Sequence, residues 1–165
     1  LARSIVGQQL SGRAAATIWS RLAASAHPRR LSAAWVAARP EQDLRACGLS
    51  RAKIASLHDL AHRTLSRQVR FASLPRLSDD DVIAHLTPVR GIGVWTAHMF
   101  LIFALQRPDI LPTGDLGVRN AIARAYALPA PPSPTQMEQL AAPWRPFRSA
   151  ASWYLWRSLD NQAAL

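Results

Sequence analysis

Apolar residues recur along the chain at helical spacing, and no segment alternates between apolar and polar residues as a half-buried strand does. The clearest apolar face consists of Ile54, Leu57, Ala61 and Leu65. Ser50 precedes this face and has the side chain of a good N-cap. Alanine, leucine and arginine dominate the composition, and all three favour helix. The sequence therefore predicts an all-α protein.

Serine, aspartate and proline positions give the bounds of the predicted helices. We predict a first helix from Ala2 to about Ser25, ended by Pro28. Further helices are predicted at 33–35, 51–66, 79–87, 94–105, 115–127, 135–143 and 147–159. The proline-rich stretch 129–134 is too near the end of the chain to separate two cores, so we expect one helical domain over residues 1–165. Because Leu1 lies within a helical pattern, we expect a further N-terminal segment in the natural chain.

Two glycines, Gly91 and Gly93, stand in a short turn before the helix 94–105. Glycines permit positive φ angles and close approach of the backbone, and free N–H groups at a helix start can bind a phosphate. Arg90 adds a charge and Thr96 a hydroxyl. A tight turn without a ligand is the alternative interpretation. The helix that follows is so apolar that we expect it to be buried on all sides.

Asp115 is flanked by glycines on both sides in the segment 111–117 and stands at the start of a predicted helix. Its structural interpretation is an N-cap. Its functional interpretation is a catalytic carboxylate at the positive end of a helix dipole. One residue can fill both roles.

The charge of the chain is strongly basic, with 20 Lys and Arg against 10 Asp and Glu and a net charge of +10. Nineteen of these basic residues are arginine, and Lys53 is the single lysine. Such an excess favours a polyanionic partner, with nucleic acid first and an anionic membrane second, while solubility is the alternative. The single cysteine, Cys47, excludes an internal disulfide and a four-cysteine zinc site, and it fits a reducing cytoplasm. No apolar run reaches the length of a membrane span.

Four segments together resemble the helix–hairpin–helix DNA glycosylase superfamily. Three of them are Ser4–Ser11 (SIVGQQLS), Gly91–Ala97 (GIGVWTA) and Leu111–Asp115 (LPTGD). The fourth, Pro143–Ser149 (PWRPFRS), is similar to the AlkA-type branch, the 3-methyladenine DNA glycosylases II. The resemblance implies two helical lobes that flank a DNA-binding cleft.

The resemblance also implies a role for individual residues. Asp115 matches the catalytic aspartate of the family. The residues implied to line the base pocket are Trp95, Met99 and Trp156. Those implied to contact DNA are Gln9, as the wedge that fills the gap left by a flipped nucleotide, and Arg90, Gly91, Gly93 and Thr96. A monovalent cation would be held by the carbonyls of Thr87, Val89 and Ile92, and no cofactor would be required.

The chain departs from the family pattern at several of these positions. Arg90 replaces a proline, Gln9 is a polar wedge, and Met99 stands where tyrosine can occur. Gly114 replaces a second acid that often precedes the catalytic one. These departures leave open which damaged bases are substrates, but they do not change the expected class of reaction.

The function implied by the resemblance is a monofunctional DNA glycosylase of base excision repair. It would hydrolyse the N-glycosidic bond of flipped-out alkylated bases such as 3-methyladenine, 7-methylguanine and etheno adducts. Relatives that also cut the strand carry a lysine where this chain has Trp95, so we expect no AP-lyase activity. The expected partner is duplex DNA with damaged bases, bound by a cytoplasmic, nucleoid-associated monomer of bacterial type that does not bind membranes. The alternatives are a non-catalytic helix–hairpin–helix DNA-binding module and a glycosylase for another lesion.

Overall fold

The computed structural model describes residues 1–28 and 30–160, and in these residues it contains helices and no strand. The helices are α1 (Ala2–Gly7), α2 (Gly12–Ser25), α3 (Ala33–Ala37), α4 (Glu41–Ala46), α5 (Arg51–Leu65), α6 (Asp79–Leu86), α7 (Val94–Phe103), α8 (Leu116–Ala125), α9 (Pro134–Ala141) and α10 (Arg148–Asp160). Short 3₁₀ turns lie at Leu74–Arg76 and Ala142–Trp144. The predicted all-α class is confirmed.

Most helix starts are capped by the side chain that the sequence indicates. An N-cap oxygen accepts a backbone N–H two or three residues further on, which satisfies a donor that the helix itself leaves free. Such caps are made by Ser11, Ser32, Ser50, Ser78, Asp115 and Ser133. The predicted starts of α3, α5, α6 and α8 are therefore confirmed.

The predicted first helix is wrong as a single element. It is divided at Gln8–Ser11, because the Ser11 side chain accepts the Ala14 N–H and starts α2 afresh. Gln9 at this break has a positive φ of 57°, which no helix residue adopts. The short helix α4 was also missed, because only six residues form it and Pro40 in front of it reads as a stop.

The chain forms two compact units, the first from Leu1 to Gly93 and the second from Val94 onward. In the first unit α5 packs against α1, α3 and α4 and supplies the buried side chains of Ile54, Leu57 and Leu60. In the second unit α8 packs against α10. Its core consists of Leu111, Val118, Ile122, Met137 and Ala141, with Trp144, Leu155 and Trp156 packed on it. The single domain and the cleft stay predictions.

Helix α7 is less buried than its composition predicts. Only Thr96, Ala97 and Leu101 are buried, whereas Val94, Trp95 and Phe103 expose 52%, 44% and 59% of their surface. The only polar residues of α7 are Thr96 and His98, and neither is exposed, so they form no polar face that could indicate the side toward solvent. The expectation of burial on all sides is therefore wrong, and α7 presents apolar and aromatic surface. Among the described residues no helix is long and apolar enough to cross a membrane.

Candidate active site and hairpin

Asp115 lies at the end of a tightly turned loop and caps α8. Its backbone N–H donates to the Pro112 carbonyl at 2.9 Å, and its side-chain Oδ1 accepts the Val118 N–H at 2.8 Å. The residue is buried, with 8% of its surface exposed. The structure thus confirms the predicted N-cap. A carboxylate in this place is fixed by the helix whose start it stabilises.

Two indole N–H groups donate to the same carboxylate. Trp95 Nε1 on α7 lies 2.7 Å from Asp115 Oδ2, and Trp156 Nε1 on α10 lies 2.9 Å from Oδ1. The resemblance implies that both tryptophans line a base pocket, and the structure brings them together at Asp115. Their hydrogen bonds to the carboxylate were not predicted, because sequence spacing does not show which edge of a ring meets a partner. Three N–H donors therefore hold this one charged group.

Gly117 makes room for this arrangement. A Cβ at this position would lie 3.1 Å from Asp115 Oδ1 and 3.2 Å from Trp156 Cδ1. With a Cβ here, the carboxylate or the indole would have to shift by a few tenths of an ångström. The Phe103 ring stacks on Trp156, with ring centroids 5.9 Å apart and an angle of 26° between the planes. The glycines around Asp115 were noted in the sequence, but this role of Gly117 was missed.

An ion-pair cluster connects the start of α10 to the loop before Asp115. Arg148 Nε donates to Asp109 Oδ1 at 2.6 Å, and Arg148 Nη1 donates to Glu138 Oε2 at 2.9 Å. The Ser149 hydroxyl donates to the Arg107 carbonyl at 2.6 Å and accepts the Ile110 N–H at 3.0 Å. The hydrogen bond from Arg148 is the main reason why the pKa of Asp109 lies below its ordinary value. This cluster ties the start of α10, the helix that carries Trp156, to the segment 107–110 that precedes the Asp115 loop.

The remaining residues implied for the pocket and the DNA surface are placed as follows. Met99 is half-buried on α7, and Thr96 is buried on the same helix with 3% exposure. Gln9 is exposed between α1 and α2. The roles of these residues stay predictions.

The hairpin Val89–Gly93 turns tightly and is held by side chains of its own unit. The Ile92 N–H donates to the Val89 carbonyl at 3.0 Å, and Gly91 has a φ of 77°. Gln8 Nε2 donates to the Gly91 carbonyl at 2.7 Å, which ties the loop that carries Gln9 to the hairpin. Gly91 and Gly93 are exposed, and a Cβ at Gly93 would meet nothing within 4 Å. The backbone of the hairpin is therefore open to a ligand.

The predicted cation ligands were tested against this geometry. Backbone carbonyls are suitable donors for a hard cation. The Val89 carbonyl already accepts the Ile92 N–H and keeps its second lone pair for a ligand. The cation site at Thr87, Val89 and Ile92 is compatible with this turn and stays a prediction. In the part of the chain that the structure describes, no group of three His, Cys, Asp or Glu side chains could hold a metal ion.

Comparison with known proteins gives a family. The HhH-GPD superfamily of base excision DNA repair proteins matches residues 2–146. DNA-3-methyladenine glycosylase 1 of Schizosaccharomyces pombe (strain 972 / ATCC 24843) is 35% identical over 166 residues, which cover 96% of this chain and 70% of that protein. The chain spans 57% of the length of YfjP from Bacillus subtilis (strain 168), to which it is 33% identical.

Two solved structures show the same fold. The structure of the S. pombe 3-methyladenine DNA glycosylase in complex with abasic DNA has a TM-score of 0.84 and 35% identity, and the match covers 94% of this chain and 77% of that one. A DNA-3-methyladenine glycosidase from Bacillus halodurans has a TM-score of 0.87 and 29% identity, with 99% and 75% covered. The chain belongs to the HhH-GPD superfamily of base excision DNA repair proteins, as the four sequence motifs indicate.

Proposed function

We propose that this protein is a monofunctional DNA glycosylase that hydrolyses the N-glycosidic bond of alkylated bases in duplex DNA during base excision repair. The observation that carries this proposal is the buried carboxylate of Asp115, held by three N–H donors between two tryptophans. The names of the relatives support the substrate class, and the relative bound to abasic DNA supports the reaction, because removal of a base leaves abasic DNA. The activity would belong to a cytoplasmic, nucleoid-associated protein.

The reaction needs a flipped nucleotide and a stabilised cation. A base inside the duplex is out of reach, so the nucleotide must leave the stack at a cost of a few kcal/mol. The bond between the base nitrogen and C1′ then breaks, and its electron pair leaves with the base. Positive charge develops on the sugar, and water adds to C1′ and loses a proton to solvent. A fixed carboxylate beside C1′ stabilises that charge as it forms.

The hydrogen bonds of Asp115 define what its carboxylate can still do. A carboxylate offers about four lone-pair positions. Oδ1 uses both of its positions on Val118 and Trp156, and Oδ2 uses one on Trp95. One position on Oδ2 remains for the sugar or the attacking water. Because the other three positions are fixed, the carboxylate is oriented before substrate arrives.

The same hydrogen bonds decide which surfaces of the tryptophans can recognise a base. The N–H edges of Trp95 and Trp156 are used on Asp115, so a base would be recognised by ring faces. Trp95 is 44% exposed and offers such a face, whereas Trp156 has Phe103 stacked on it and packs on the core of the second unit. Alkylated purines such as 3-methyladenine carry a positive charge, and a cation over an indole face gains about 0.5–2 kcal/mol. Such a base is also a good leaving group. Met99, half-buried on α7, would contribute a deformable apolar contact to this pocket.

The N-terminal unit would bind the backbone of the duplex. The exposed glycines Gly91 and Gly93, the charge of Arg90 and a cation on the hairpin carbonyls would hold phosphates. Thr96, buried on α7 in the second unit, is proposed as a further DNA contact. Gln9, exposed on the loop that Gln8 ties to the hairpin, would fill the gap in the stack. Arginines dominate the net charge of +10 and would add a strongly salt-dependent contribution to binding.

The proposal includes the absence of AP-lyase activity, because Trp95 stands where a Schiff-base lysine would be needed and its N–H is already bound to Asp115. Borohydride trapping of the protein on abasic DNA tests this point, and a covalent adduct would overturn it.

The main experiment measures release of free 3-methyladenine and 7-methylguanine from methylated duplex DNA by the wild type and by Asp115→Asn. We expect release by the wild type and a loss of about 10²-fold or more in the variant. Asparagine is an equally good N-cap, so the fold is retained. Equal release by both proteins would refute the role of Asp115. Binding without release by either protein would favour the non-catalytic module. Release only from a separate duplex that contains uracil would favour a different lesion.

A further inference from the structure

One face of α5 organises the two segments proposed to meet DNA. Lys53, Ser56 and Asp59 follow each other at intervals of three residues and therefore lie along one side of the helix. Lys53 Nζ donates to the Val6 carbonyl at the end of α1, at 2.7 Å. Ser56 and Asp59 instead meet the hairpin. Helix α5 therefore supports both the Gln8–Ser11 loop and the Val89–Gly93 hairpin.

Asp59 makes a direct bond to the backbone of the hairpin. The Arg90 N–H donates to Asp59 Oδ2 at 2.7 Å, across 31 positions of sequence. The next residue, Gly91, sits against Ser56 so closely that a Cβ there would lie 2.6 Å from the Ser56 hydroxyl. The peptide between Arg90 and Gly91 is thus fixed from one side by α5. Its orientation sets where the following N–H groups point.

The carboxylate of Asp59 is itself held in place. Arg63 Nε, one helical turn further along α5, donates to Oδ1 at 3.1 Å and to Oδ2 at 3.0 Å. Burial on its own raises the pKa of Asp59, but the hydrogen bond from the Arg90 backbone and the Arg63 guanidinium outweigh burial, so the pKa lies below its ordinary value. The Asp59 side chain is 29% exposed. A fixed negative charge therefore stands directly behind the hairpin.

An acid in this place opposes DNA binding if its charge alone is considered, because it repels the phosphates that the hairpin would bind. We propose that Asp59 is a positioning residue, whose bond to the Arg90 N–H fixes the hairpin in the conformation that binds the DNA backbone. This inference rests on the proposed function, in which the hairpin binds DNA. It predicts that loss of this negative charge weakens DNA binding, whereas simple electrostatics predicts that it strengthens binding.

The test compares Asp59→Ala with Asp80→Asn, which removes one exposed negative charge in the first turn of α6. Fluorescence anisotropy of a labelled duplex with an abasic-site analogue, at fixed salt, gives Kd. We expect Asp59→Ala to raise Kd about five- to tenfold and Asp80→Asn to leave it unchanged or lower it. With methylated duplex, KM should rise while kcat stays within about twofold, because the active-site carboxylate is untouched. Binding by Asp59→Ala as tight as that of Asp80→Asn overturns the inference.

A double-mutant comparison separates positioning from a general loss of structure. Proline has no N–H, so in Arg90→Pro the carboxylate of Asp59 loses its bond to the hairpin and keeps only those from Arg63. In that background Asp59→Ala should no longer raise Kd, whereas in the Arg90→Ala background, which keeps the N–H, it should still do so. An equal effect of Asp59→Ala in both backgrounds overturns the inference.

The outcome for the wild type distinguishes this inference from the proposed function. A wild-type protein that binds no duplex overturns both. A wild-type protein that binds duplex and releases alkylated bases, with Asp59→Ala binding as tightly, overturns only the role of Asp59.

Discussion

Trp156 donates its indole N–H to Oδ1 of Asp115 at 2.9 Å, and that same oxygen accepts the Val118 N–H that begins α8. One oxygen atom thus joins the helix that carries the tryptophan to the helix that the aspartate caps. Gly117 lies close to both groups, and a Cβ there would be 3.1 Å from Asp115 Oδ1. The position of the candidate catalytic carboxylate therefore depends on how α8 and α10 pack against each other.

The Trp156 N–H can be removed while an aromatic ring is kept. In Trp156→Phe we expect the rate of base release at saturating DNA to fall about tenfold, because the carboxylate loses a charge-assisted donor and part of its orientation. Single-turnover release of 7-methylguanine measures this rate. Trp153→Phe is the matched control, since Trp153 is 47% exposed on the same helix. A rate for Trp156→Phe equal to that of the control would show that the N–H does not matter.

The space at Gly117 can be filled by one methyl group. Gly117→Ala places a Cβ 3.1 Å from Asp115 Oδ1 and 3.2 Å from Trp156 Cδ1, so one of these groups must shift, and we expect base release to fall several-fold even though alanine favours helix. Gly12→Ala in the first turn of α2 is the control, because a Cβ there meets nothing within 4 Å. Unchanged release by Gly117→Ala would mean that the tryptophan moves without consequence for the carboxylate.

The two arginines of the cluster at the start of α10 should differ in their effect on stability. Arg148 is 10% exposed and bonds Asp109 and Glu138, whereas Arg145 contacts the same two acids but is 57% exposed. We expect Arg148→Met to lower the free energy of unfolding by about 2–4 kcal/mol, because it leaves the acids without their buried partner. Arg145→Met should cost about 1 kcal/mol or less. Urea unfolding measures the free energy of unfolding of both variants. Equal losses would contradict the expectation that the buried arginine contributes more to stability than the exposed one.

Acid should weaken the same cluster. The pKa of Asp109 is lower in the folded protein than in the unfolded chain, so the unfolded chain binds the proton more tightly. The contribution of Asp109 to stability is therefore complete above the ordinary pKa of 3.8 and is lost as the pH falls through the lower, folded value. In Asp109→Asn we expect a shallower loss of stability below about pH 4 in urea titrations. An equally steep loss in this variant would show that other carboxyl groups are responsible.

Local chemistry explains which parts of the fold could be predicted from sequence. The N-caps Ser32, Ser50, Ser78 and Asp115 were predictable because a cap depends on residues three positions apart. The break at Gln8–Ser11 lies between Gly7 and Gly12, which are weak helix formers, and Ser11 is a good N-cap, so a local signal for it was present and was overlooked. The exposure of α7 was missed because a uniformly apolar helix has no polar face to indicate solvent.

The candidate site could be predicted as a set of residues but not as a geometry. Asp115, Trp95 and Trp156 were identified by their resemblance to family motifs, and the structure brings them together. The hydrogen bonds of the two indoles join residues that are 20 and 41 positions apart in the sequence, which no local pattern can show. The function of Gly117 depends on distances between atoms that only the folded chain defines. Asp59 gave no signal at all, because an aspartate inside a helix is most simply a surface residue.

The two indole protons on Asp115 provide a spectroscopic signal from inside the site. An indole N–H proton that is hydrogen-bonded to a buried carboxylate resonates downfield of one that faces water. Few signals other than those of tryptophan Nε1 protons occur in that region of the spectrum. The signals of Trp95 and Trp156 should therefore stand apart from those of the other tryptophans in a proton–nitrogen spectrum. A substrate analogue that occupies the remaining position on Oδ2 should shift the Trp95 signal more than that of Trp156. The arrival of a ligand at this carboxylate can thus be followed in nitrogen-15-labelled protein without a label on the DNA.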